Sequence, residues 1–437
     1  MSNVRPFQFV LIAFFVVLAI VAIVFLTTYQ AQKTESESTY GESILIWGTL
    51  SQEVMKNTIQ EIGRTNKAFG VVEYRQFDVD TFNDELVNAI AESRSPDLIV
   101  LSSPSLVSLR SKILPIPYKT ITERSFKDAY IDGASIFALQ DGVYGIPFAV
   151  DPLVMYWNPT LFASNGLAEA PKNWAQIVLE AVPKITIRDP QHNILQGAVS
   201  FGGYSNVVHP KELLIALAWQ LGSSLVYENN AVYTVALDDP VLGAQPAPFQ
   251  NVVDFYTSFS SFIKNAERYS WNKAMPSDVN QFVSGDLALY FGLGSEYKAI
   301  ENKNPNLGFD IAQIPQAEGA TIIRTYGDFY AFAIPKAAKN AQASFAVATI
   351  LANSTNAEPI TQGLQMAPVR RDLVSKIDAN PYRQVILKSA LVAHGWLDPD
   401  PEKSADIFRE MVDSINGDGT RLSEAVQDAI HKLSLVF

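Results

Sequence analysis

An α/β chain organised in two lobes is predicted, on three observations. Strand and helix patterns alternate from Ser43 to Leu101, an order that builds a parallel sheet with helices on both faces. The 437 residues, 48% hydrophobic and 18% charged, suffice for two or three domains, each with its own core. Between the halves lies Gln140 to Gly166, QDGVYGIPFAVDPLVMYWNPTLFASNG, where Gly142 and Gly145 punctuate the start and Pro147 removes a backbone donor. The apolar, strand-forming run that follows reads as a buried, extended crossover and not as a catalytic loop.

The elements follow in order. Ser43 to Gly48 (SILIWG) is a strand, and Ser51 to Thr65 carries helical spacing at Val54, Ile59 and Ile62. Gly70 to Phe77 is a second strand, Phe82 to Glu92 a second helix, and Pro96 to Leu101 (PDLIVL) a third strand. Ligands of such a sheet sit at the carboxyl ends of its strands, here Trp47-Gly48-Thr49, Asp78 and Ser102-Ser103. After the crossover, Asn173-Trp174 opens a helix, and Gly197 to Phe201 is a strand ending in Gly202-Gly203-Tyr204-Ser205. Lys211 to Leu221 and Ala247 to Ile263 are helices with core-facing apolar residues.

Ahead of these elements, Phe9 to Leu26 (FVLIAFFVVLAIVAIVFL) is a run of 18 residues without a charge. As a helix it would span ~27 Å, enough to cross a bilayer. The apolar region of a secretory signal is shorter and leads into small residues at its cleavage site, whereas Thr27-Thr28-Tyr29-Gln30-Ala31 follows here. A retained single-pass transmembrane helix over residues 1–29 is expected, with a polar tether over 30–42. Arg5 on one side, against Lys33 diluted by Glu35 and Glu37 on the other, puts the body on the extracytoplasmic side.

Charge and composition exclude several functions. A formal charge of −12 and a pI near 4.9 leave no basic face for nucleic acid, and an uncharged or cationic ligand fits better. With no cysteine, disulfides, thiolate nucleophiles and cysteine lipidation are out of the question. His192, His209, His394 and His431 are scattered without zinc spacing, and neither GxSxG nor GxxxxGK[ST] occurs. A protein that is not an enzyme, with no cofactor and no metal, is expected. NGDGT at Asn416 to Thr420 and DPDPE at Asp398 to Glu402 lack the twelfth-position acid of a calcium loop and read as loops preceding helices.

Three stretches carry a family resemblance: the crossover DG-V-YGIPFAVDPLVMYWN, then SGDLALYFG at Ser284 to Gly292, then YAFAIPKAAKN at Tyr330 to Asn340. Together with Met366-Ala367-Pro368-Val369-Arg370 and Asn416-Gly417 before a final helix, they resemble the family 1 extracellular solute-binding proteins. These are the maltose-binding-protein-like receptors of ABC importers, and the similarity covers about residues 43 to 437. It implies a two-lobed periplasmic-binding-protein-like fold of type II. The first lobe would take residues 43–148 plus about 288–337, the second 149–287 plus about 338–437, with the ligand cleft between them. Within that fold, Gln281 to Gly292 would be a short helix, a glycine turn and a return strand, completed by Leu307 to Ile314 and Thr325 to Pro335, and Ala341 to Ala352 a helix.

The implied function is a receptor that captures a sugar or oligosaccharide by lobe closure and delivers it to ABC permease subunits. Two other classes stay open: a membrane-tethered surface binding or adhesion protein without a transporter, and a tethered glycosidase. Sugars need aromatic plates together with fixed hydrogen-bonding groups. The aromatic candidates are Trp47, Tyr204, Phe291, Tyr330 and Trp396, with Tyr326 and Phe329 beside them, whereas Trp157 reads as core. Asp151 stands where some family members place an acidic sugar ligand; alternatively it holds backbone at the hinge. Asp78, Ser102, Ser103, Ser295, Glu296, Asp328 and Arg370 sit where family members line the cleft. The tryptophan frequent after the family's return strand is replaced by Leu293-Gly294-Ser295.

Overall fold

The structure, a computed structural model, describes residues 43–229, 232–239, 248–320 and 322–437. The expected transmembrane helix and tether lie outside the described residues, among which no helix is long and apolar enough to cross a membrane.

Three parallel strands start the sheet. β1 (Ile44–Gly48) lies between β2 (Val72–Gln76) and β3 (Leu98–Ser102), so their carboxyl ends point the same way. The intervening helix Gln52–Thr65 begins where the Ser51 hydroxyl accepts the Val54 N–H, and it buries Met55, Ile59 and Ile62 on one face. Helix Phe82–Ala91 does the same with Phe82, Leu86 and Ala89. The strand–helix alternation of the sequence is therefore realised as predicted.

Further along come β4 (Ile146–Trp157), β5 (Ile194–Val199), β6 (Leu287–Leu293), β7 (Asp310–Gln313) and β8 (Thr325–Ala333). The strand order is β2-β1-β3-β8-β4-β6-β5. β4 is the crossover: its first half pairs antiparallel with β8, which in turn pairs with β3, and its second half pairs with β6 and β7. One strand thus belongs to both lobes. All of it but Trp157 is buried, because it has neighbours on both edges and packing on both faces.

Alternation along this strand separates two cores. Val154 and Tyr156 join the cluster that also holds β1–β3, while Leu153 and Met155 join the cluster built on Phe201, Leu214, Phe249 and Phe408. Buried residues of the helices Ala341–Leu351, Ser354–Gly363 and Pro381–Ala390 pack into the first cluster. Those of Pro401–Asp413 and Leu422–Val436 pack into the second. The sequence reading had placed everything after residue 337 in the second lobe. Helix Ser354–Gly363 instead lies against helix Gln52–Thr65, with Gly363 next to Val54.

Two features were not expected. Leu225–Asn229 and Val232–Ala236 form an antiparallel hairpin on the second lobe. The helix opened by Asn173, with its capping box to Gln176, passes through a π-helical turn at Ile177–Ala181 before Val182–Ile185. The loop reading of DPDPE holds for Asp398–Asp400, where the Asp400 side chain accepts the Lys403 N–H and caps helix Pro401–Asp413, which already includes Pro401 and Glu402; in NGDGT, Asn416–Asp418 lie instead in the π-helical turn Ser414–Asp418 that continues that helix.

Candidate functional site

The carboxyl ends of β1 and β3 open onto a cavity of about 390 Å³. Its first-lobe wall carries Thr49, Asp80, Phe82, Asn83, Ser102 and Ser105; β8 adds Asp328 and Tyr330; the second lobe closes it with Asp400, Pro401 and Glu402. Pairing brings these groups together, because Tyr330 lies opposite Ser102 on β3 and Asp328 lies opposite Asp151 on the crossover. The lining also includes Asp84, which makes five carboxylates, several hydroxyls and no lysine, arginine or histidine. Such a wall accepts hydrogen bonds from hydroxyl or ammonium donors and repels anions.

Of the expected site residues, Ser102, Asp328 and Tyr330 line this cavity. Ser102 shares a 3.3 Å hydrogen bond with Ser105, and the Tyr326 hydroxyl donates to Asp328 at 2.7 Å. Burial pushes the Asp328 pKa up to about 6. Asp78 is exposed one turn away, where its carboxylate accepts the Asp80 N–H at 2.9 Å, so it shapes the loop whose next acid faces the cavity.

The others lie elsewhere. Ser103 is fully buried and accepts the Phe329 N–H at 3.0 Å, tying β3 to β8. Trp47 is buried against Phe77 at 4.4 Å, and Phe291 packs in the second core against Phe201 at 5.2 Å. Both point from strand ends into apolar layers, where a large ring gains more from burial than at the rim. Trp396 is buried beside Phe408. Tyr204 is buried as well, and lines a separate groove of about 1190 Å³ on the second lobe, together with Tyr269, Asn272 and Asn416. Arg370 pairs with Asp372 at 3.0 Å away from the cavity.

Asp151, Ser295 and Glu296 form a network at the hinge. Asp151 is 1% exposed and accepts both the Ser295 N–H at 3.0 Å and its hydroxyl at 2.5 Å. In the structure the Asp151 carboxylate makes the hinge contact. Burial pushes its pKa up to about 7, against the pull of the Ser295 hydrogen bonds. Glu296 accepts the Tyr290 hydroxyl at 2.5 Å and meets His209 Nε2 at 2.5 Å. Burial opposes charge on His209, but the Glu296 carboxylate outweighs it and holds the pKa at about 9. Next to them, Lys211 donates to Asp398 at 2.7 Å, to Ser404 at 3.0 Å and to the Pro401 carbonyl at 3.1 Å, which fixes the segment forming the second-lobe wall.

Thr49 lines the cavity as part of the strand end named from the sequence, whereas Asp80, Asn83, Ser105, Asp400 and Glu402 were missed as site residues. Asp400 and Glu402 were not legible, because only the packing of the second lobe brings that segment to the β-strand ends.

Comparison with known proteins agrees with this fold. A binding protein of Brucella abortus (strain 2308) is 21% identical over 347 residues, covering 77% of this chain and 78% of that one. A cyclo/maltodextrin-binding protein complexed with maltotetraose superposes with a TM-score of 0.72 at 14% identity, over 90% of this chain and 97% of that one. An ABC transporter solute-binding protein from Thermotoga lettingae, bound with alpha-D-tagatose, gives 0.67 at 19% identity, over 91% and 100%. A maltotriose-binding protein of Thermus thermophilus bound with maltotriose gives 0.64 at 15% identity, over 90% and 99%. The family model described as bacterial extracellular solute-binding protein matches residues 59–383, so that this chain, with its two lobes joined through one strand and a cavity between them, belongs to that family.

Proposed function

We propose that the chain is an extracytoplasmic receptor, anchored through residues 9–26, that captures a sugar or oligosaccharide by lobe closure and delivers it to the permease subunits of an ABC importer. The observation that carries this reading is the cavity itself. It is walled by both lobes, sits at strand ends, and presents Thr49, Ser102, Ser105 and Tyr330 hydroxyls among carboxylates. Carboxylates and hydroxyls at fixed positions match the donor-rich rim of a sugar, and the absence of cations from the lining favours neutral or amino-bearing sugars over acidic ones. A ligand touching both walls favours closure by its differential affinity for the closed state. We place the lobe boundary within β4, with the helices of residues 341–363 on the first lobe and those of 401–436 on the second.

The test is a thermal-shift screen of the full-length chain against neutral and amino mono- and oligosaccharides, amino acids, peptides and metal ions. A saturable shift with one carbohydrate class is expected. Asp328→Asn should weaken it by the value of a charge-assisted hydrogen bond, about 1.5–3 kcal/mol, or roughly 10- to 150-fold in Kd. A shift with a peptide or a metal and none with any carbohydrate would sink the sugar reading.

A further inference from the structure

Arg110 follows Ser108 and Leu109, two residues of the cavity's first-lobe rim. Its guanidinium crosses to the second lobe, where Nη1 donates to Glu228 at 2.8 Å and to the Tyr233 hydroxyl at 2.7 Å. Glu228 and Tyr233 belong to the two strands of the unpredicted hairpin. On its own lobe, Nη2 donates to Asp141 at 2.9 Å and Nε to the Tyr144 hydroxyl at 3.2 Å, while Tyr144 donates to Asp141 at 2.7 Å. The Arg110 side chain is 13% exposed and that of Glu228 10%. The hairpin is held to its own lobe through Leu225 in the second core, with Val226 and Val235 packed against that core, and through Tyr233 stacked on Phe437 at 5.3 Å. One cation therefore ties two anchored surfaces across the cavity rim.

We propose that the paired strands Leu225–Asn229 and Val232–Ala236 are a strap and Arg110 its clasp, holding the lobes closed before any solute binds. The proposal rests on the lobe-closure reading above and not on the identity of the solute. A planar guanidinium with donors in a fixed fork is suited to this task, since it holds both sides in one geometry, and Glu228, its partner across the rim, is shielded from screening water while Asp141 on its own lobe is half exposed. The affinity of a solute for a closing receptor is reduced by the fraction of molecules that are not competent to bind, so a clasp that raises the closed fraction tightens capture. Set at the rim, it also favours solutes that fit the closed cavity of about 390 Å³.

The chain has no cysteine, so two introduced cysteines are its only thiol-labelling sites. Asn57→Cys on the first lobe and Ile263→Cys on the second, both exposed, take a spin-label pair for distance measurement on the ligand-free full-length chain. A single short-distance population is expected, and Arg110→Met should add or replace it with a longer one. Glu228→Gln, which removes only the ion pair across the rim, should move the distribution the same way and decides the matter if Arg110→Met does not fold. An unchanged distribution in a folded variant would overturn the proposal, as would a ligand-free parent already at the long distance. Neither result bears on which solute shifts the melting temperature.

Discussion

Lys211→Met should cost more than any surface charge change, because it breaks a pair that is almost withdrawn from water. The Lys211 side chain is 11% exposed and that of Asp398 3%, and their charged atoms lie 2.7 Å apart. With the ammonium gone, burial acts on Asp398 uncompensated, leaving the Ser404 hydroxyl at 2.9 Å and the Asp400 N–H at 3.2 Å as its donors. Breaking one side of a buried pair destabilises by ~3–5 kcal/mol, whereas replacing both members with apolar residues is near neutral or favourable. Urea unfolding of the full-length chain should therefore show a loss of that size in Lys211→Met and its recovery in Lys211→Met with Asp398→Leu. Pro401, whose carbonyl loses the Lys211 donor and keeps only the Ser404 hydroxyl at 3.2 Å, lines the cavity, so solute binding should weaken in the single variant. A single-mutant loss under ~1 kcal/mol, within the range of an exposed pair, would show that Asp398 reaches water and refute the argument.

Two further predictions concern the hinge and the core. His209 is held at about 9 in the fold, so the folded chain keeps a proton that the unfolded one releases from about 6.5 upward. Stability from this pair is complete below that lower value and lost as pH rises through 9; melting temperature should fall between pH 6 and 9, and His209→Gln should flatten the fall. An equally steep profile in the variant would assign the slope to other groups. Gly133→Ala should destabilise by ~1–3 kcal/mol, because the added methyl would overlap the Ala393 carbonyl and the Phe329 ring, and the carbonyl belongs to backbone paired with β8. A melting temperature unchanged from the parent would mean that this backbone yields freely.

Local chemistry made much of the fold legible. Alternating apolar runs with Ser51 and Asn173 as caps marked strands and helices, and the apolar stretch around Pro147 marked the crossover, since periodicity and capping are properties of neighbouring residues. The hairpin strands Leu225–Asn229 and Val232–Ala236 carry a readable signal too, β-branched and aromatic residues on either side of asparagines.

The site was legible in part. Ser102 and Thr49 were reachable as strand ends, Asp328 through the family resemblance and Tyr330 as an aromatic candidate for a sugar plate. Which aromatics turn inward was decided by packing: Trp47 and Phe291 are as plausible on paper as Tyr330, yet the sheet layers took them as core. Asp151 was recognisable as costly to bury, but its partner Ser295 lies 144 residues away. Separation in sequence likewise hides Lys211 from Asp398, Arg110 from Glu228, and Glu402 from the strands it faces. Secondary structure follows from forces acting over a few residues and could be read in one dimension. The cavity, the hinge network and the clasp arise where two lobes meet, and only the tertiary structure decides which side chains share that space.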